Sequence, residues 1–120
     1  MLKYQLGDAD AKFADIIWEN EPIQSGELVK LCEKEMSWKK STVYTVLRKL
    51  CKRGIFENQD SIVTAKLSKE EFMQLQSKEF VEDSFQGSLP VFLTAFMGSQ
   101  KLSKKQADEI KQLIDQFKEE

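Results

Sequence analysis

A basic segment in the first half of the chain carries the side chains with the most evident chemistry. Between Met36 and Phe56 there are six Lys or Arg residues and no acid. Ser41 is expected to cap a helix in this segment, and Gly54 is expected to end it. Apolar residues recur at helical spacing and predict one inward-packing face. They are Val43, Val46, Leu47 and Leu50.

The opposite face of this predicted helix combines hydroxyl groups with cations. Hydroxyls and a guanidinium can hydrogen-bond to base edges, and further cations can contact phosphates, which is what a helix in a DNA major groove requires. The pattern therefore predicts sequence-specific DNA binding. A basic face that is merely solvated is the alternative, but its cations would usually have acids one helical turn away. The predicted DNA-binding residues are Lys39, Lys40, Ser41, Thr42, Thr45, Arg48, Lys49 and Lys52.

The overall charge of −2 looks unfavourable for a protein that binds DNA, but the charge is unevenly distributed. Residues 1–67 hold 11 basic and 10 acidic side chains, whereas residues 68–120 hold 7 and 10. Exposed charges farther apart than about 10 Å are largely screened, so the local field of the basic helix decides phosphate contact. The acidic second half is expected to face away from DNA.

The composition argues against an enzyme, a metal centre or a cofactor. The chain has no histidine and no Gly-rich phosphate loop, and no serine lies beside a usable base. Cys32 and Cys51 occupy apolar helix positions without a CxxC motif, so we expect buried thiols. No apolar run is long enough to span a membrane, and no targeting segment is recognisable. We expect a cytoplasmic protein with no membrane contact.

Two further helices and a hairpin are predicted around the basic helix. Residues 8–20 form the first helix, with Asp8 or Asp10 as its cap. Ser25 is expected to cap the second, which runs to about Glu35. Two short helices joined by a tight turn, the second one basic, make a helix-turn-helix. The predicted inward residues of these helices are Ala9, Phe13, Ile16, Ile17, Leu28, Leu31 and Cys32.

After Gly54 the apolar period changes to that of strands. Ile55 and Phe56 open one short strand, and residues 62–67 form its β-branched partner, which predicts a hairpin, the wing. Wings commonly contact the DNA backbone, but this one offers Lys66 as its cation and carries Asp60 near its tip. We therefore expect weak contact by the wing.

The second half of the chain is predicted to be helical and to dimerise. Capping boxes at Ser68 and Ser103 begin two helices, and Pro90 fits the first turn of another that Gly98 ends. The apolar side chains of these three helices form a surface that is too large for the helices to bury easily alone. A symmetric dimer would bury it. Completion of a single globular core is the alternative. The predicted interface residues are Phe80, Phe85, Phe92, Phe96, Ile110, Leu113, Ile114 and Phe117.

The residues STVYTVLRKLCKRGI, preceded by Trp38, resemble the recognition-helix signature of the penicillinase-repressor family of bacterial winged-helix regulators, the BlaI, MecI and CopY type. The DIIW that ends the first helix and the LSKEEF after the wing resemble the same family in the same order. The resemblance implies a mainly α protein: a winged helix-turn-helix over residues 1–67 and a helical dimerisation region over residues 68–120. It implies a homodimeric transcriptional repressor on a palindromic DNA operator.

By position in the resemblance, five residues match the part of the family's helix that enters the major groove. Of these, Arg48 is expected to read a guanine, because a guanidinium can pair in a bidentate way with guanine O6 and N7. The other basic residues, including Arg53, are assigned to phosphates or solvent. The matching residues are Lys40, Ser41, Thr42, Thr45 and Arg48.

Two departures limit what the resemblance implies about regulation. The copper-responsive branch carries paired Cys-x-Cys motifs at its C-terminus, and this chain ends DQFKEE. The β-lactam-responsive branch is cleaved by a protease at an Asn-Phe bond, and the corresponding place here reads Ala95-Phe96. A regulatory protease acting there is one hypothesis, and two plain interface residues are the other. A winged helix that serves as a protein-interaction module, without sequence-specific DNA binding, is the alternative function.

Overall fold

A computed structural model describes residues 2–119 as six helices and three short strands. The expected mainly α, winged helix-turn-helix architecture is confirmed, with an additional strand that the sequence did not predict. The chain divides into two compact units, the first ending at Phe80 and the second beginning at Val81. In chain order the elements are α1 Asp8–Asn20, β1 Ile23–Gln24, α2 Ser25–Met36, α3 Lys40–Lys52, β2 Phe56–Gln59, β3 Ile62–Ala65, α4 Lys69–Phe85, α5 Leu89–Ser99 and α6 Lys104–Phe117.

The first unit has a closed apolar core between its helices and the sheet. The apolar periods of α1, α2 and α3 converge on it, as predicted, with two differences: Ala9 is exposed and Leu31 is half-buried. Ala14 lies on the inward side of α1 instead of Ala9. The buried core residues are Phe13, Ala14, Ile16, Ile17, Ile23, Leu28, Cys32, Val43, Val46, Leu47, Leu50, Ile55, Phe56, Val63 and Phe72.

Three antiparallel strands form a small sheet in the order β1-β3-β2. The β2–β3 hairpin is the predicted wing, with Phe56 opposite Ala65. Asp60 and Ser61 form its two-residue turn at φ of 52° and 65°, the left-handed values that a tight hairpin turn needs. The strand β1 pairs Ile23 with Val63. It is only two residues long, too short for an alternating pattern to predict it.

Three predicted helix caps are wrong, although α1 begins at Asp8 in agreement with its predicted range; α2 begins at Ser25 and α3 at Lys40. The N-cap positions of α1, α2 and α3 are Gly7, Gln24 and Lys39, and no side chain caps them. Asp8 and Asp10 lie in the first turn of α1, where the helix dipole favours acids. Ser25 and Ser41 lie inside the first turns of their helices.

The capping box at Ser68 is confirmed by two reciprocal hydrogen bonds. Ser68 N donates to Glu71 Oε1 at 3.0 Å, and Glu71 N donates to Ser68 Oγ at 3.0 Å. These bonds lower the pKa of Glu71, because a carboxylate that accepts hydrogen bonds is stabilised in its charged form. The helix α4 thus begins immediately after the wing.

The first unit extends past the predicted boundary at residue 67, because α4 contributes to its core. Phe72 is buried, with its ring 5.5 Å from that of Trp18 and 6.0 Å from that of Tyr4. Glu79 accepts hydrogen bonds from Lys3 N at 2.7 Å and Tyr4 N at 2.8 Å. The part of α4 that runs from Lys69 to Phe80 and the segment before α1 therefore belong to this unit.

The second unit consists of the end of α4 together with α5 and α6. Ser88 caps α5 by accepting from Val91 N at 3.2 Å, and Pro90 lies in the first turn as predicted. Gly98 does not end α5, which continues to Ser99. Ser103 caps α6 by accepting from Gln106 N at 3.1 Å. No residue described in this unit is buried.

Candidate nucleic-acid interface

The helix α3 presents a continuous polar stripe directly opposite its buried face. Ser41, Thr45, Arg48 and Lys52 follow one another at intervals of four, three and four residues, so they share one side of the helix. We call these four residues the reading face. All four are exposed, as are Lys39, Lys40, Thr42 and Lys49, so every residue predicted to contact DNA lies on the surface.

The helix α3 is free of acids, and its reading face is free of ion pairs. Among the described residues, no Asp or Glu lies within ion-pair distance of Lys39, Lys40, Arg48 or Lys52. Their charges are therefore available to a ligand. Thr45 Oγ1 donates to Ser41 O at 2.9 Å, which fixes the hydroxyl and leaves its lone pairs as acceptors.

Two other basic side chains of this segment already have partners. The Lys49 ammonium forms an ion pair with Asp10 in the first turn of α1. Arg53 donates from its guanidinium to Gln5 O at 3.2 Å, which ties the end of α3 to the segment before α1. Sequence reasoning grouped these cations with the others, because their partners lie 39 and 48 positions away.

A cleft of about 500 Å³ separates the reading face from the wing. Arg48 and Asn58 of β2 both line this cleft, together with Tyr44 and Cys51. The wing turn beyond Asn58 is exposed and carries Asp60. Asn58 thus brings to the same cleft an amide, a second group able to hydrogen-bond to a base edge or a phosphate.

Ser25 connects both sides of this interface, a role the sequence did not indicate. It is 6% exposed, and its hydroxyl accepts from Tyr44 Oη of α3 at 3.0 Å. Its backbone N donates to Ser61 O in the wing turn at 2.8 Å. The helix α3 and the wing are therefore both hydrogen-bonded to one residue at the start of α2. From the sequence alone, a serine at the start of a helix is interpreted as a cap, so these two contacts were not predicted.

The turn between α2 and α3 is held by an aromatic contact. Ser37 adopts a left-handed φ of 56° and ends α2. Trp38 then stacks on Phe13 with ring centroids 5.5 Å apart. A cleft of about 590 Å³ beside this turn is lined by Glu33 as well as by Lys39 and Lys40. Trp38 thus fixes the backbone just before Lys39 and Lys40, at the start of α3.

Cys32 is buried, as predicted, whereas Cys51 is only half-buried. Burial, reinforced by Glu35, raises the pKa of Cys32 to about 11. Burial also raises the pKa of Cys51, with Lys66 opposing the shift and Glu57 adding to it. Within residues 2–119 no group of His, Cys, Asp and Glu side chains is arranged to hold a metal ion. The same part of the chain contains no helix long and apolar enough to cross a membrane.

The residues predicted for dimerisation lie along α4, α5 and α6. Phe85 and Phe92 pack edge to face at 5.3 Å, and Phe92 lies 6.4 Å from Phe96. Leu113, Ile114 and Phe117 of α6 are 53%, 54% and 74% exposed. A groove of about 430 Å³ between α5 and α6 is lined by Leu89, Leu93, Ile110, Leu113, Ile114, Phe117 and Lys118. Phe80, at 43% exposure, lies outside this groove at the end of the first unit.

Comparison with known proteins identifies the family of this chain. The penicillinase repressor of Bacillus licheniformis is 24% identical over 118 residues, which are 95% of this chain and 92% of that protein. The solution structure of the monomeric form of Bacillus licheniformis BlaI, in complex with the blaP half-operator, superposes with a TM-score of 0.50 at 24% identity. The match covers 56% of this chain and 87% of the BlaI chain in that structure. This likeness supports the winged-helix fold. The family model described as penicillinase repressor matches residues 6–116, so the chain belongs to the penicillinase repressor family.

Proposed function

We propose that this protein is a transcriptional repressor that binds a palindromic DNA operator as a homodimer. The observation that carries the proposal is the reading face of α3. It presents two hydroxyls, a guanidinium and an ammonium, all exposed, and no acid among the described residues lies within ion-pair distance of the two cations. Membership of a repressor family supports the same function, and the solved relative is described in complex with a half-operator.

The side chains of the reading face divide between bases and phosphates. Arg48 is the residue we assign to guanine, because its planar fork matches O6 and N7. Thr45, Ser41 and Thr42 offer hydroxyls to neighbouring base edges. Lys40, Lys39 and Lys52 extend from the two ends of the helix and are assigned to phosphates. The wing adds little charge, since Asp60 lies at its turn.

Homodimer formation is proposed from the second unit. None of its described residues is buried, yet α5 and α6 expose large aliphatic and aromatic side chains, of which Phe117 is 74% exposed. Exposed apolar surface on this scale marks an interaction site. A second copy supplies the same apolar surface, and an isologous two-fold contact is the commonest way for a chain to bury it.

A two-fold dimer also accounts for the proposed palindrome. One reading face has four residues and can reach only a few base pairs, so a single copy has limited specificity. Two copies related by a two-fold axis present two such faces in opposite directions. The matching DNA site then has two inverted half-sites, separated by about one or more helical turns.

Ala95 and Phe96 are relevant to how repression is relieved. Both are exposed, and both lie in the middle of α5. A protease binds its substrate in an extended form, so cleavage there requires local unwinding of α5. Assignment of Phe96 to the dimer interface requires no such change, and this is the role we propose for it.

Selection of bound sequences from a random duplex pool, at moderate and at high salt, tests the proposal. We expect a consensus with two inverted half-sites. Arg48→Ala should relax preference at one position per half-site at a cost of about 1–3 kcal/mol, because one bidentate base contact is lost. Lys52→Ala should weaken all sequences alike and lower the salt slope by about 0.9 for one phosphate contact.

Lys78→Ala is the matched control. Lys78 is exposed on α4, so this substitution also removes one lysine charge, but from a helix other than α3. It should leave the consensus and the salt slope unchanged. Recovery of no consensus, together with binding that simply disappears as salt rises, would contradict the proposal. The winged helix would then be assigned to protein interaction.

A further inference from the structure

The ion pair between Lys49 and Asp10 sets one cation of α3 apart from the others. Lys49 lies with Thr42 on the side of α3 next to the reading face, seven residues apart and so on one flank of the helix. No acid is present on α3 itself, so the only carboxylate paired with this helix in the described structure comes from α1. A cation suitable for phosphate contact is thereby neutralised.

This pair is the least exposed of the ion pairs in the described structure. The Asp10 side chain is 19% exposed and that of Lys49 is 43% exposed. In the pair between Asp15 and Lys69, the Asp15 side chain is 41% exposed and that of Lys69 is 55% exposed. The remaining two pairs are more exposed still. Salt screens a partly buried pair less than an exposed one. Asp10 also lies in the first turn of α1, where the helix dipole stabilises its negative charge.

From this geometry we propose that Asp10 limits the sequence-independent affinity of the protein for DNA by holding Lys49 away from the phosphates. This inference rests on the proposed function and concerns the phosphate backbone of double-stranded DNA. Sequence-independent binding grows with the number of phosphates that the protein neutralises, because each contact releases counterions. Asp10 subtracts one such contact at the flank of α3. Among residues 2–119, the two cations of the reading face, Arg48 and Lys52, have no acid within ion-pair distance.

Asp10→Asn tests the proposal, because the amide keeps the size of the side chain and removes its charge. The freed Lys49 should add one phosphate contact, which steepens the slope of log K against log salt by about 0.9. Between 50 and 200 mM salt this change corresponds to about a threefold greater loss of affinity. The gain should appear on a random-sequence duplex and on the selected consensus alike.

Asp15→Asn is the matched control. It makes the same change on the same helix, but it releases Lys69 of α4 instead of a cation on α3. Its salt slope should equal that of the wild type. The double variant Asp10→Asn with Lys49→Ala should also return to the wild-type slope, since the added contact belongs to Lys49.

A second comparison uses a protein in which Asp10 is intact. Lys49→Ala alone should leave the salt slope unchanged, whereas Lys52→Ala should lower it by about 0.9. Equal slopes for Asp10→Asn and Asp15→Asn, or a loss of slope in Lys49→Ala, would overturn the inference while leaving the proposed function intact. Absence of salt-dependent DNA binding by the wild type would overturn both.

Discussion

The two units of this chain bury apolar side chains to very different degrees. The first has fifteen buried hydrophobic residues drawn from its helices and its sheet. The second has none among its described residues, although α5 is one of the most apolar segments of the chain. A helix that is apolar on several sides and not covered by its own chain needs another surface to pack against.

The difference indicates that the units have different requirements for stability. The first unit has the elements of a self-sufficient domain, because its helices and sheet enclose a common core. The second unit has well-capped helices, at Ser88 and Ser103, but too little burial to offset the loss of conformational entropy on folding. We infer that the first unit folds alone and that the second is stabilised by association.

Two fragments would test this inference, and they should give the largest effect. A fragment that ends at residue 86 keeps the whole of α4 and should fold as a monomer. A fragment that ends at residue 67 loses the whole of α4, and the loss of buried Phe72 alone should cost about 3–5 kcal/mol of the free energy of unfolding. Urea denaturation measures the difference. Equal stability of the two fragments would show that α4 does not belong to the first core.

Phe117→Ala should produce the next largest effect, and only on the second unit. Loss of a buried phenylalanine costs about 1.5–3 kcal/mol, and a two-fold dimer loses two of them, so the dimer should be at least about a hundredfold weaker. Sedimentation at several protein concentrations measures it. Gln112→Ala lies on the opposite side of α6 and should leave association unchanged. If Phe117→Ala dimerised as tightly as the wild type, α6 would not form the interface.

A small pH effect is expected where α4 begins. The capping box lowers the pKa of Glu71 below its usual value of 4.5 in the folded protein. A lowered folded pKa gives stability that is present above pH 4.5 and is lost as the pH falls through the folded pKa. Glu71→Gln should therefore reduce the difference in thermal stability between pH 7 and pH 3. An unchanged difference would mean that Glu71 does not contribute.

The sequence predicted features that depend on local pattern. The apolar period of α3 located its buried face at Val43 and Leu50, and the pairing of Ser68 with Glu71 located the start of α4. The exposed position of every predicted DNA-binding residue follows from the same periodicity. Each of these features is determined within one or two helical turns, so short-range spacing is enough to reveal it.

Features that depend on distant residues were not predictable in this way. The strand β1 forms because Ile23 meets Val63, and two residues carry no pattern of their own. Ser25 is buried because Tyr44 and the wing approach it. Lys49 has a partner because Asp10 of α1 packs beside α3. These contacts depend on the packing of separate elements, which the spacing along one helix does not contain.

The cleft that holds Cys51 gives the protein a native chemical reporter. Cys51 is half-buried beside Arg48, whereas Cys32 is fully enclosed in the core. Thiol reagents attack the thiolate, so the raised pKa of both groups slows alkylation without abolishing it at the more accessible site. DNA lying against α3 would cover Cys51 and slow its alkylation further, while Cys32 would label only on unfolding. In one mass spectrum of a labelling reaction, the extent of Cys51 alkylation would thus report DNA binding, and that of Cys32 would report unfolding. No engineered residue is needed.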